Sequence, residues 1–225
     1  MFVTQAAAGS CHSLFLTSEG RVYACGHGKH GCLGRGGSGN PYHMTDLTCL
    51  HAPVRVPLLP TKVVCIAGGR DGDEGFSRAV SDIGRVYSWA ANACFQLGHR
   101  HNVDVFQPTL VESLVDGDAI SVCEGVVIRH VARGTHHGLV LSSVGDVFSF
   151  GTANIELEHK GVLGHGRDVT ERNVARSLQN NLFSALIWQG NPIVSVASNG
   201  QACFGLCGVI TCLSAWEIEA AWRSS

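Results

Sequence analysis

The stretch Ala7-Ala8-Gly9-Ser10-Cys11-His12-Ser13-Leu14-Phe15-Leu16-Thr17-Ser18-Glu19-Gly20-Arg21-Val22-Tyr23-Ala24-Cys25-Gly26, closed by Gly31-Cys32-Leu33-Gly34, carries the fold in miniature. Leu14-Phe15-Leu16 and Val22-Tyr23 are apolar runs of strand length, and Ser18-Glu19-Gly20 between them is turn chemistry. A glycine free to take positive φ lets the two runs fold back as a hairpin. The later Leu-Gly pair marks a place where another backbone passes closely.

The same landmarks return twice. Ala67-Gly68-Gly69 leads to Phe76-Ser77-Arg78-Ala79-Val80-Ser81-Asp82-Ile83-Gly84-Arg85-Val86-Tyr87-Ser88-Trp89, then Gln96-Leu97-Gly98-His99. Val131-Ala132-Arg133-Gly134-Thr135-His136-His137 opens a third copy, which runs through Gly145 to Val147-Phe148-Ser149-Phe150-Gly151 and closes at Leu163-Gly164-His165. The turn glycines Gly20, Gly84 and Gly145 are spaced by 64 and 61 residues. A fourth copy begins at Val196-Ala197-Ser198-Asn199-Gly200 and loses the pattern after Leu206; Cys207 to Ser225 contains no Val-Tyr-x-Trp-Gly strand and no Leu-Gly close. One hairpin cannot bury both of its faces, so copies must stack to build a core. The repeats are assigned to about residues 7–66, 67–131 and 132–196, with a degenerate partial repeat over 197–225.

Composition agrees. Charged residues are only 15% and glycines number 28, against about 16 at average usage, which suits short strands and tight turns. The formal net charge is −2 and there is no basic run, so direct nucleic-acid binding is not expected. No Cys-x-x-Cys pair occurs among the ten cysteines, and the N-terminus lacks the basic and apolar regions of a signal peptide. These read as reduced thiols in an intracellular protein, cytoplasmic or nuclear. Ile193 to Trp216 carries no charge, but its glycines, Asn199 and Gln201 argue for a continuation of the repeat over a membrane span.

Taken together these motifs resemble the repeat of the regulator of chromosome condensation (RCC1) family. Ala8/Gly9/His12 and Gly134/His137 supply its opening, and Arg85-Val86-Tyr87-Ser88-Trp89 with Leu97-Gly98-His99 its central strand and close. The resemblance covers about residues 7 to 200 and implies an all-β fold, a partial seven-bladed β-propeller. The departures are Phe76 for the opening His in copy two, Cys25 and Phe150 for Trp89, and Arg35 for the closing His in copy one. Three and a half blades cannot close a seven-bladed ring, and a fragment of a longer protein is expected over an open array that pairs its own edges.

Gly26-His27-Gly28-Lys29-His30-Gly31 fits a dinucleotide fingerprint, but the glycine-rich segment behind it cannot form the helix that such a site needs. His12 and His137 share one repeat position, and His99 and His165 another, so they are expected to brace turns through bonds to backbone groups, not to hold a metal. Asp71-Gly72-Asp73-Glu74 is expected to be a solvated acidic loop, because Phe76 stands where a calcium loop needs glycine. Cys203 and Cys207 form only a Cys-x-x-x-Cys pair. No nucleophile elbow, zinc-protease helix or phosphate loop occurs. Hence no catalytic, cofactor-binding or metal residue is assigned, and no cofactor. The function expected is a non-catalytic protein-interaction propeller whose insertions, residues 70 to 75 and 153 to 160, meet the partner. The alternative implied by the resemblance is guanine-nucleotide exchange on a Ran-like small GTPase.

Overall fold

The computed structural model describes residues 1–36, 49–59, 62–71, 74–115, 127–152, 163–165, 171–177, 193–198, 203–207 and 211–214. Among the described residues the chain is all-β apart from two single 3-10 turns, Lys29–Gly31 and Glu112–Leu114. Blade 1 comprises β1 (Val3–Ala8), β2 (His12–Thr17), β3 (Val22–His27) and β4 (Cys49–Arg55). Blade 2 comprises β5 (Val63–Asp71), β6 (Glu74–Ser81), β7 (Val86–Ala90) and β8 (Val105–Leu110). Blade 3 holds β9 (Ile128–Arg133), β10 (His137–Ser142), β11 (Val147–Thr152) and β12 (Glu171–Ser177). Blade 4 holds β13 (Ile193–Ser198), β14 (Cys203–Cys207) and β15 (Thr211–Ser214). In every blade consecutive strands are hydrogen-bonded neighbours, giving three four-stranded antiparallel meanders and one of three strands. A repeat counted from Ala7 therefore ends inside β5.

The uncharged stretch from Ile193 onward contains β13, β14 and β15 and not a membrane helix. Among the described residues no helix is long and apolar enough to cross a membrane. The part of the chain after Leu206 nevertheless keeps a third strand: Thr211–Ser214 pairs with Cys203–Cys207. A backbone ladder forms without the Val-Tyr-x-Trp signature, because main-chain bonding carries no side-chain identity.

The turn glycines behave as their positions require. Gly20, Gly84 and Gly145 have φ of 76°, 77° and 94°. The first two also sit against the start of the next blade's inner strand: a Cβ on Gly20 would lie 2.8 Å from Lys62, and one on Gly84 2.5 Å from Val127. Val63 N–H donates to Gly20 C=O at 2.9 Å, so one turn closes a hairpin and docks a neighbour.

The inner strands β1, β5, β9 and β13 each carry a bulge, at Thr4, Val64, Arg129 and Val194, where the ladder with the second strand skips a residue. The residue after the bulge reaches the next blade. Gln5 Nε2 donates to Ile66 C=O at 2.9 Å, and Ile66 N–H donates to Gln5 Oε1 at 2.9 Å. Cys65, one blade on, bonds its thiol to the Val131 backbone. β5 is the edge strand of its sheet, so the Ile66 N–H and C=O have no strand partner on their open side, and a side chain from the preceding blade satisfies them.

The acidic segment of blade 2 is not the simple loop expected. β5 and β6 run on to the pair Asp71↔Glu74, so the extra residues lengthen the hairpin ladder. Inserting an even number of residues adds whole cross-strand pairs and leaves the side-chain alternation intact. The insertion at 153 to 160 lies outside the described residues.

Of the five described non-glycine residues with positive φ, Ala90 lies furthest from the left-handed helical well. Gly26 and Gly151, with φ of 105° and 107°, occupy the equivalent position in blades 1 and 3, and Ala90 holds φ of 90° with a side chain. The neighbouring cross-hairpin bond reports the cost: His27 N–H to Cys11 C=O is 2.7 Å and Thr152 N–H to His136 C=O is 2.9 Å, but Ala91 N–H to Gly75 C=O is 3.3 Å. The methyl group keeps the two strands apart. Strain at such a φ costs about 1–3 kcal/mol, and glycine's extra unfolded-state entropy about 0.5–1 kcal/mol, so relief wins. Ala90→Gly should stabilise the protein by about 1 kcal/mol and raise the melting temperature by about 2–4 °C. A thermal scan showing a lower melting temperature for the variant would contradict this account.

Candidate interaction face

Two histidine positions recur, and both bond serine hydroxyls more than backbone. The opening ring lies over a glycine: a Cβ on Gly9, Gly69 or Gly134 would overlap the ring of His12, Phe76 or His137. Phe76 fills the slot as well as histidine does, so the slot requires a flat ring. The nitrogen does a second job between blades. Ser77 Oγ–H donates to Cys32 C=O at 3.0 Å, and His12 Nε2–H donates into Ser77 Oγ at 2.9 Å. Trp89 Nε1–H donates to the same Cys32 carbonyl at 3.0 Å. In blade 3, His137 Nε2 reaches Ser198 Oγ of blade 4 at 3.0 Å.

The closing histidine works within a blade. Ser88 Oγ–H donates to Leu97 C=O at 2.8 Å and accepts from His99 Nε2–H at 3.0 Å. His99 Nε2 also lies 3.3 Å from Ser88 C=O, the one backbone contact of the expected kind. Ser149 repeats the arrangement with Leu163 C=O at 2.6 Å and His165 Nε2 at 2.9 Å. In blade 1 serine and histidine disappear together, as Ala24 and Arg35. The Leu-Gly close also has a steric reason: a Cβ on Gly34 would lie 2.9 Å from Trp89 Nε1, and one on Gly98 3.2 Å from Phe150.

These seams support a rim at one end of the blades. The connections β1–β2, β3–β4, β5–β6, β7–β8, β9–β10 and β11–β12 all leave at that end, because each blade is an antiparallel meander and the inner strands lie side by side in one direction. Between blades 1 and 2 the rim is bridged by His30 Nδ1 to Asp104 Oδ2 at 2.6 Å, with Asp104 Oδ1 accepting from Asn92 N–H at 3.0 Å. Gly36 N–H donates to Phe106 C=O at 3.0 Å, and Gly31 lies so close to Phe106 that a Cβ would meet its ring at 2.7 Å. Thr152 Oγ1–H donates to Cys94 C=O at 2.9 Å between blades 3 and 2. Sequence reasoning missed Asp104 and Asn92, which lie between the landmarks of the second copy; Asp104 shows its role through its bond to His30 across 74 residues, and Asn92 through its bond to Asp104.

The Gly26–Gly31 segment ends in a three-residue 3-10 turn, not a helix that could face a pyrophosphate. Gly26 is explained by its packing against Cys11 C=O. Among the described residues no group of three His, Cys, Asp or Glu side chains is placed to hold a metal. Cys203 and Cys207 both lie on β14. Among the described residues Cys11, Cys25, Cys32, Cys49, Cys65 and Cys94 form no disulfide; burial pushes the Cys32 thiol up to about 12 and raises Cys65.

Burial lowers the pKa of the seam histidines His12 and His137 and of His99 within blade 2. His12 falls to about 4, with Arg133 adding repulsion, and His99 to about 4. His137 falls to about 3, with Arg78 and His136 adding to the burial effect. All three are neutral in the folded protein and take up a proton near pH 6.5 only when unfolded, so their stabilisation is full above pH 6.5 and drains away as pH falls toward 4. Urea unfolding across that window should show an uptake of about three protons on unfolding near pH 5. His12→Phe, which copies Phe76, should remove about one proton from that slope and cost about 1 kcal/mol at pH 7 for the lost bond to Ser77. Parallel pH profiles for variant and wild type would refute the assignment of His12.

Two family models, each described as the regulator of chromosome condensation (RCC1) repeat, match this chain, one over residues 3–32 and the other over residues 19–72 and 84–141. The human E3 ubiquitin-protein ligase HERC2 is 32% identical over 200 residues, 88% of this chain and 4% of that protein. Human WBSCR16 superposes with a TM-score of 0.70 at 27% identity, over 92% of this chain and 45% of that structure. Yeast RCC1 (Prp20), solved bound to Kap60, superposes with a TM-score of 0.66 at 25% identity, over 94% of this chain and 43% of that structure. The chain thus spans a small part of the curated relative and a little under half of each solved structure. Repeat models covering more than half of the sequence, on blades whose landmarks recur strand for strand, place it: the chain belongs to the regulator of chromosome condensation (RCC1) repeat family.

Proposed function

We propose that this chain is a non-catalytic protein-interaction surface, and that it recognises its partner through the bridged rim of blades 1 to 3. The observation that carries the reading is where the repeats diverge. The extended β5–β6 hairpin, the segment between β11 and β12 and the His30–Asp104 bridge all belong to one end of the blades, and the opposite end keeps the uniform Gly20, Gly84 and Gly145 turns. A repeat scaffold holds its core constant and varies the segments that meet ligands. Bridges between neighbouring blades hold the rim before a partner arrives, which lowers the ordering cost of binding. The ligase activity named for HERC2 belongs to a protein of which the matched stretch is 4%, and it supports no such chemistry in these residues.

The test uses the full-length protein and its isolated binding partners. A variant with His30→Ala and Asp104→Ala and the segment 153–160 replaced by a Gly-Ser linker should lose them. A variant with the opposite turns altered, Ile83→Ser and Val144→Ser, should keep them. Binding that survives the first and fails in the second would move recognition to the other end. A nucleotide-release assay on a Ran-like small GTPase runs beside it: an interaction surface leaves the release rate unchanged, and acceleration would replace this reading with nucleotide exchange.

A further inference from the structure

One core position breaks the repeat with a charge. Leu14 in blade 1 and Leu139 in blade 3 are buried in the equivalent place, and blade 2 has Arg78, with no exposed surface at all. Its guanidinium lies between two rings, 4.6 Å from the centroid of Phe76 and 4.8 Å from that of Phe150. Nη1–H donates to Ala132 C=O at 3.2 Å, and Nη2–H donates to Gln96 C=O. Nε makes no hydrogen bond, and no carboxylate among the described residues pairs with the charge. Burial drops the group to about 9, which still leaves it protonated at neutral pH.

The partners explain this cation. Gln96 precedes Leu97-Gly98 as Cys32 precedes Leu33-Gly34, so its carbonyl is the blade 2 counterpart of the one that accepts from Ser77 and Trp89 in the first seam. In the second seam both donors are gone. Gly138 stands where Ser77 stands, and Phe150 where Trp89 stands. A buried carbonyl without a donor costs about 1–3 kcal/mol, so something must reach it. Arg78 does so through the gap that Gly138 leaves: the three atoms nearest a Cβ built on Gly138 all belong to the Arg78 guanidinium. Phe150, the residue that lost the indole N–H, supplies one of the two ring faces that hold the cation.

We propose that Arg78, Gly138 and Phe150 form a single compensated unit, a cationic latch that joins blade 3 to blade 2 where neutral serine and tryptophan donors join blade 2 to blade 1. The latch joins the same two blades that the Thr152–Cys94 bond bridges at the rim. Lysine cannot replace it, because an ammonium lacks the planar fork that stacks between two rings and serves two carbonyls.

The experiment compares Arg78→Leu, Arg78→Lys and the triple variant Arg78→Leu/Gly138→Ser/Phe150→Trp in the full-length protein, by thermal unfolding and by hydrogen exchange of the β9 and β10 amides. Arg78→Leu and Arg78→Lys should each lower the melting temperature by about 5 °C or more, and speed exchange in β9 and β10 about tenfold. The triple variant rebuilds the first seam's chemistry in the second and should recover most of both losses. If Arg78→Leu fails to fold, recovery by the triple variant alone supports the latch. A triple variant no better than Arg78→Leu, or an Arg78→Leu protein that melts at or above the wild type, overturns it.

Discussion

A buried carbonyl organises each of the first two seams of this array. A blade's inner and outer faces are covered only by other blades, so docking buries backbone oxygens that the meander itself cannot satisfy. Cys32 C=O is such an oxygen, and it collects the Ser77 hydroxyl and the Trp89 indole from the next blade. Those two bonds act with the Gln5–Ile66 pair and the Val63–Gly20 bond to hold blade 2 on blade 1. They also explain Gly34, which clears room for the indole, and His12, whose ring orients the serine. Where the donors vanish, at Gly138 and Phe150, a guanidinium arrives. The requirement is conserved in energy even though the residues differ.

The second recurring device is a ring laid over a glycine. Gly9, Gly69 and Gly134 accept the rings of His12, Phe76 and His137 at distances that no Cβ permits. Polar pairs inside the blades follow the same economy: Ser88 with His99 and Ser149 with His165 are present together, and Ala24 with Arg35 are absent from the pairing together. A histidine without its serine would be a buried nitrogen without a partner, so neither residue changes alone. The burial that holds these histidines neutral ties the stability of the folded blades to pH, since each favours a proton only once unfolded.

Recognition then rests on the end of the blades where chain length varies. The inner hairpin turns are too constrained to diverge, since Gly20 and Gly84 each pack on the next inner strand. The connections at the other end have no such duty and can lengthen. His30–Asp104 and Gly36–Phe106 show how a lengthened connection is tied down again, by the neighbouring blade and not by its own.

The hairpins, their turn glycines and the closing Leu-Gly pairs could be read along the amino-acid sequence. Each depends on local φ, on two-residue alternation or on a glycine that recurs every 60-odd residues, and all of these are written along the chain. The sequence also marked His12, His99, His137 and His165 as structural, while assigning them to backbone groups when all four rings bond serine hydroxyls. Tertiary structure alone decided the rest. The Asp71↔Glu74 pair looked like a loop because its residues favour turns, yet strand pairing overrode that preference. Ala90 gave no sign of strain, because a positive φ is imposed by the ladder and not by the residue. Of Arg78, Gly138 and Phe150 only Phe150 stood out in the sequence as a departure from the repeat. They become one feature only when blade 3 is laid on blade 2, since the carbonyl that unites them belongs to none of the three.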